Sequence, residues 1–227
     1  MIGIIGAMSI ETEEIRNQMT VCETRTIANT EFVRGILWGE EAVVATCGAG
    51  KVFAAVAAQT MILVYQVDYI VNVGVAGTLS EQLHIGDLAI ATKTVQHDMD
   101  VSALGAPIGE VCKINVTYFP CDEKLVRKAQ AAAKAIGIPY QTGVIATGDQ
   151  FISSHEQKEI LVERFGAISC EMEGGAIGHT CYINKVPYIV LRAMSDEADG
   201  GAPDDFEAFA KKSAMNTVRL LCKMLVS

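Results

Sequence analysis

Short apolar runs that stop at glycine or at a charged residue punctuate this chain. Residues 2–7 read IGIIGA, 67–73 VDYIVNV, 86–95 GDLAIATKTV and 187–193 PYIVLRA. Runs with so little polar alternation suit strands buried on both faces, as in a parallel sheet covered by helices. The segments between them supply those helices: 9–19, the Ala-rich 51–65, 122–136, 155–164, 174–184 and a long last helix over 204–225. Further strands are predicted at 141–147 and 167–172, and 31–38 with 42–47 reads as a hairpin across Gly39-Glu40-Glu41. Alternating strands and helices imply an α/β domain with a mostly parallel sheet. No linker, low-complexity tract or internal repeat divides residues 1–227, so one domain is expected, long enough for a sizeable core.

Charge narrows the function classes. With 27 acidic and 18 basic residues the formal net charge is −9. Nucleic-acid binders need a basic stripe and membrane-surface binders a polybasic patch, so neither partner is expected. A small neutral substrate in a pocket is compatible with such a surface. The seven cysteines are scattered, odd in number and without a CxxC pair. That usage fits reduced thiols in a cytoplasmic protein. Metal-ligand spacing is missing, and no cofactor is implied. No apolar run reaches the ~20 residues of a spanning helix, and the N-terminus lacks the basic region of a signal peptide.

In open α/β sheets ligands bind beyond the carboxyl ends of the strands. Three such ends carry carboxylates. Glu171-Met172-Glu173 follows GAISC; the two acids alternate and would share a face of an extended chain, though acids also suit a helix N-terminus. Arg192-Ala-Met-Ser195-Asp196 follows YIVL, where charges need partners or act as caps. Glu11 lies just past the first strand, ahead of Glu13 and Glu14 on a solvated helix face. Two other ends are glycine-rich, CGAGK at 47–51 and NVGVAG at 72–77. Neither is a P-loop or a full GxGxxG; tight strand-to-helix packing is the expected use, with an anion cradle as the alternative for the first. There is no GxSxG elbow, and no cysteine has a cue for activation.

Taken in order, IGIIGAM–E, CGAGKV, NVGVAG, GDLAIAT…QHDMDV, TGDQFI, CEMEGGAIGH and RAMSDEAD resemble the 5′-methylthioadenosine/S-adenosylhomocysteine nucleosidases, within the purine nucleoside phosphorylase-like superfamily, across nearly the whole chain. The resemblance implies a three-layer αβα sandwich around a central mixed, mostly parallel sheet, and a homodimer. It implies hydrolysis of the N-glycosidic bond of a 5′-substituted adenine nucleoside. Glu11 would activate water, Glu173 bind the ribose hydroxyls, Asp196 protonate adenine N7 with Ser195 placing its carboxyl, and Arg192 stand near water and carboxylates. Phe151 would stack on adenine, the Ile152 backbone read its edge, Met172 flank sugar and base, and Phe206 close over the site. Met8, Ala49 and Val75 would complete the pocket, with Val101 and Leu104 reaching it from a partner subunit.

The same resemblance shows departures. Val75 replaces a commoner Ser or Thr, Ala49 a commoner Ile and Leu104 a commoner aromatic, and residues 105–118 lack the usual Tyr and Gln-x-Pro-Gly pattern. The 5′ pocket is therefore expected to be roomier. Related phosphorylases ring their phosphate with arginines; here acids follow the first strand and no arginine precedes Arg16, which favours water as the nucleophile. A phosphorylase and a non-catalytic nucleoside-binding module are the competing readings.

Overall fold

The computed structural model describes residues 1–198 and 206–226, with side chains from 209 onward in the second segment. The elements run β1 (Ile2–Gly6), α1 (Ser9–Asn17), β2 (Met19–Ile27), β3 (Thr30–Leu37), β4 (Glu40–Thr46), α2 (Lys51–Thr60), β5 (Tyr69–Thr78) and β6 (Leu88–Gln96). They continue with β7 (Tyr118–Pro120), α3 (Glu123–Ile136), β8 (Tyr140–Thr147), α4 (His155–Phe165), β9 (Ala167–Glu171), α5 (Gly174–Asn184), β10 (Tyr188–Asp196) and α6 (Phe206–Val226). A π-helical turn, Met61–Tyr65, prolongs α2.

Local chemistry explains the boundaries. The Asp122 carboxylate accepts the Lys124 and Leu125 N–H groups at 2.9 and 3.0 Å, starting α3. Leu125, Ala129, Ala132 and Ala133 form its buried stripe, and Gly137 at φ +69° stops it. The β3–β4 hairpin turns through Trp38 and Gly39, both at positive φ, which matches the twist of paired strands.

Helices cover the sheet on both faces. α2 and α5 pack together over one core, and α1, α3 and α6 over the other. The layers are those expected, but the sheet is mixed rather than mostly parallel. Five pairings are parallel, including β1 with β4 and β5 and β10 with β5. Five are antiparallel. Strands β10, β6, β8, β9 and β5 close on themselves as a five-stranded barrel, and β1, β4, β3 and β2 extend it as an open sheet. A run buried on both faces carries no mark of its direction, so the apolar pattern did not distinguish these arrangements. Register shifts in β10, β6 and between β8 and β9 supply the local bends that closure demands. Strand β2 was not expected; its seven central residues are exposed, so its sequence lacks a buried face.

Closure positions the site. It sets Gly77, near the end of β5, opposite Cys170, near the end of β9. β1 and β10 lie on either side of β5 and run parallel to it. Four strand ends thereby converge.

Candidate active site

At this convergence lies a cavity of about 200 Å³. Glu11, Val75, Met172, Glu173, Ser195 and Asp196 line it. Met8, Ala49, Phe151 and Ile152 complete the wall. Sequence positions spread from 8 to 196 thus meet in one place, as their strand-end locations predicted.

Glu11 sits in the first turn of α1 and is buried. One carboxylate oxygen accepts the Ala7 and Met8 N–H groups at 2.7 and 2.9 Å, and the other accepts the Val75 N–H at 3.0 Å. Burial raises its proton affinity above that of an ordinary glutamate, against the pull of Arg192 and the three N–H donors. A deprotonated Glu11 is consequently a stronger base than a surface carboxylate.

Glu173 occupies the N-cap position of α5, and its carboxylate accepts the Gly50 N–H at 2.8 Å. Burial, then the charge on Glu171, pushes it up to about 7, with Arg192 acting in the opposite sense. Asp196 ends β10, where one carboxylate oxygen accepts the Ser195 hydroxyl at 2.8 Å and the other the Ala198 N–H at 3.0 Å. Both donors fix the carboxyl plane.

Arg192 does not line the cavity. It is fully buried beneath it, donating to Asn72 Oδ1 at 2.6 Å and to the Glu171 carboxylate, with Glu173 Oε2 at 3.8 Å. Among the described residues it is the only buried cation, and its charge is committed to these partners.

The glycine-rich segments act differently from expectation. Gly74 and Gly77 lie inside β5, where a β-carbon would come within 2.6 Å of the Glu11 carboxylate and 2.8 Å of the Asp196 carboxylate, respectively. They make room for the site's acids. The other segment does cradle anions at the N-terminus of α2, but they belong to the protein: Gly50 N–H binds Glu173, and Lys51 N–H binds Asp149 at 2.8 Å. Lys51 Nζ pairs with Asp98 at 2.6 Å, and Asp98 accepts the Asp149 N–H at 2.9 Å. This network anchors the loop that carries Phe151 and Ile152.

Val101 and Leu104 are not brought to this cavity; they lie at a 3-10 turn where Leu104 is 87% exposed. The Phe206 side chain and the tract Asp199–Ala202 fall outside the described residues. Sequence reasoning missed Asn72 and Thr147 as parts of the site's foundation. Asn72 had a readable signal, an amide in the middle of an apolar strand; Thr147 had none.

The chain matches the phosphorylase superfamily over residues 1–226. It is 38% identical over 226 residues to a 5′-methylthioadenosine/S-adenosylhomocysteine nucleosidase of Shewanella loihica, covering 99% of this chain and 98% of the relative. The structure of the Neisseria meningitidis 5′-methylthioadenosine/S-adenosylhomocysteine nucleosidase, in complex with methylthio-immucillin-A, superimposes with a TM-score of 0.95 at 34% identity, covering 99% of this chain and 98% of that one. The structure of a Helicobacter pylori futalosine hydrolase gives a TM-score of 0.94 at 38% identity, covering 99% and 96%. The convergence of Glu11, Glu173 and Asp196, together with this end-to-end similarity, shows that the chain belongs to the 5′-methylthioadenosine/S-adenosylhomocysteine nucleosidase family of the phosphorylase superfamily.

Proposed function

We propose that this protein hydrolyses the N-glycosidic bond of 5′-methylthioadenosine and S-adenosylhomocysteine, releasing adenine and the thioribose. The observation that carries the reading is that three buried carboxylates, Glu11, Glu173 and Asp196, line one cavity, each held by its own hydrogen-bond donors. The phosphorylase alternative is disfavoured by charge. A phosphate would face Glu11 and Glu173, while the one buried arginine among the described residues is already paired.

In this mechanism the C–N bond breaks with its electrons leaving on adenine, and the sugar becomes cationic. Asp196, protonated at that moment, gives its proton to N7 and makes the base a better leaving group. General-acid help of this kind contributes ~10²–10⁴-fold. Glu173 grips the ribose hydroxyls and, with Glu11, stabilises the developing positive charge. Glu11 takes a proton from water as its oxygen bonds to the anomeric carbon. Phe151, at the cavity mouth, stacks on the base, Ile152 reads the base edge through its backbone, and Met172 flanks sugar and base. Val75 offers Glu11 a backbone N–H but no side-chain hydrogen bond, so water placement rests on Glu11.

Ala49 keeps one wall of the cavity small, which supports acceptance of bulkier 5′ groups; the similarity to a futalosine hydrolase points the same way. A homodimer is supported by apolar surface on the α2 and α5 layer: Val52, Phe53 and Val56 on α2, Leu63 just beyond it, and Ile183 on α5 are exposed. Val101 and Leu104 would then complete a partner's pocket. Seven unpaired cysteines support a cytoplasmic location, the release of a thioribose suits a role in methionine salvage, and no helix among the described residues is long and apolar enough to cross a membrane.

Incubation with methylthioadenosine, with and without phosphate, tests the reading by mass spectrometry of the products. Adenine and free methylthioribose at the same rate in both supports hydrolysis. Sugar 1-phosphate appearing only with phosphate would make the protein a phosphorylase, and binding without turnover a nucleoside-binding module.

A further inference from the structure

The site holds a fourth carboxylate, to which the mechanism above assigns no task. Glu171 borders the cavity, yet its side chain is only 2% exposed. Four donors converge on it. The Thr147 hydroxyl reaches one oxygen; Arg192 Nη2, the Glu173 N–H at 3.0 Å and the Gly174 N–H at 2.7 Å reach the other. The Thr147 oxygen also accepts the Gly175 N–H at 2.6 Å, while its hydroxyl proton is donated to Glu171. Every group around Glu171 therefore donates, a set that a carboxylate alone can accept in full.

Glu173 is held very differently. It has the Gly50 N–H at 2.8 Å, and Arg192 stands 3.8 Å away, beyond hydrogen-bond range. Arg192 Nη2 is occupied by Glu171 and Asn72. The two acids of the Glu-Met-Glu segment thus divide the local resources, one absorbing the donors and the other keeping lone pairs to spare.

We propose that Glu171 is the positioning residue of this site. It fixes the backbone from which Glu173 projects and draws Arg192 back, so that the Glu173 carboxylate faces the ribose hydroxyls unspent. This rests on the hydrolase reading for the identity of the hydroxyls. The electrostatics agree. The charged and titratable groups near Glu173 are Glu171 on β9, Arg192 on β10, Glu11 on α1 and Cys47 beyond β4, and after burial Glu171 is the largest influence holding Glu173 near 7.

The test compares wild type, Glu171→Gln, Glu173→Gln and the double variant with methylthioadenosine as substrate. Glu171→Gln is expected to lower kcat/KM on the order of 10²-fold, the cost of a displaced catalytic group. The double variant should be no worse than Glu173→Gln within about threefold, because both changes remove one function. Glu171→Asp should recover part of the loss. Losses that multiply would overturn the proposal. Should Glu171→Gln fail to fold, Thr147→Val, which removes one donor from Glu171, enters the same cycle with the same two readings. Titration of 13C-labelled Glu173 by NMR decides independently of turnover: its midpoint should fall in Glu171→Gln, and an unmoved midpoint in a folded variant would also overturn the role. Wild type without turnover would sink the hydrolase reading instead, and the titration would still decide between the two outcomes for Glu171.

Discussion

Gly74 faces the Glu11 carboxylate so closely that a β-carbon at position 74 would lie 2.6 Å from Oε1 and 3.2 Å from Arg192 Nη1. Glu11 cannot easily retreat, since three backbone N–H groups hold it. Gly74→Ala should therefore push the base out of line while leaving β5 paired. The expected result is a fall in kcat on the order of 10²-fold, comparable to other displacements of about an ångström. Steady-state kinetics beside a thermal melt checks it; wild-type kcat in the variant would show that the carboxylate relocates without consequence.

The legible parts of this protein are those with a local signature. Charges abutting apolar strands betrayed Glu11, Glu173, Arg192 and Asp196, because an ionised group beside a core needs a partner or a purpose. The strand-and-helix alternation was equally visible. Strand direction and barrel closure were not, because IGIIGA or YIVL reads the same whichever way its neighbours run. β2 escaped because the core never touches most of it. Glu171 stood in plain view beside Glu173, but its separate role depends on Thr147 and Arg192, 24 and 21 residues away, which no local pattern joins to it. Gly74 and Gly77 were visible and misassigned, since the segment they share could equally have been a strand-to-helix turn.

Asp196 should act on the leaving group alone. Its two oxygens accept from Ser195 and Ala198, so asparagine fits the volume but offers one oxygen to two donors and has no transferable proton. Asp196→Asn should lower kcat for methylthioadenosine by ~10²–10⁴-fold. An N7-methylated adenine nucleoside already carries the positive charge that protonation would supply. With that substrate the variant should lose less than about tenfold, since only the general-acid share of the catalysis is removed. Equal losses on both substrates, measured as adenine-base release, would mean that Asp196 serves binding rather than protonation.

Glu173 should leave a signature in stability. Its folded-state value of about 7 lies above its ordinary value of 4.5, owing first to burial and then to Glu171. Between those values the folded state holds a proton that the unfolded chain has released, so wild type loses stability as pH rises through this window. Glutamine cannot ionise. The melting temperature of Glu173→Gln relative to wild type should climb from pH 4.5 to 7 and level off above. Taking the difference cancels the buried His97 and the half-buried His179, whose values are lowered by loss of solvent and work in the opposite sense. A difference flat across that range would mean that Glu173 is ionised throughout it.

The loop bearing Phe151 depends on a charge pair at some remove from the chemistry. Lys51 and Asp98 meet at 2.6 Å with side chains 18% and 19% exposed, and Asp98 in turn holds the Asp149 backbone. Burial works to raise Asp98, but the Lys51 and Asp149 bonds outweigh it and hold the carboxyl below its usual range. The pair's stabilisation is thus present at neutral pH and is lost as pH falls through that lowered value. Lys51→Met removes the cation while keeping the apolar stem, and leaves Asp98 half-buried without its partner. A cost of about 1–3 kcal/mol is expected, between the values for exposed and buried pairs. In kinetics the variant should raise KM several-fold and leave kcat within about twofold, because the base platform loosens while Glu11, Glu173 and Asp196 stay in place. If kcat fell and KM held, the Lys51–Asp98 pair would be supporting the reacting groups themselves rather than the platform on which adenine rests.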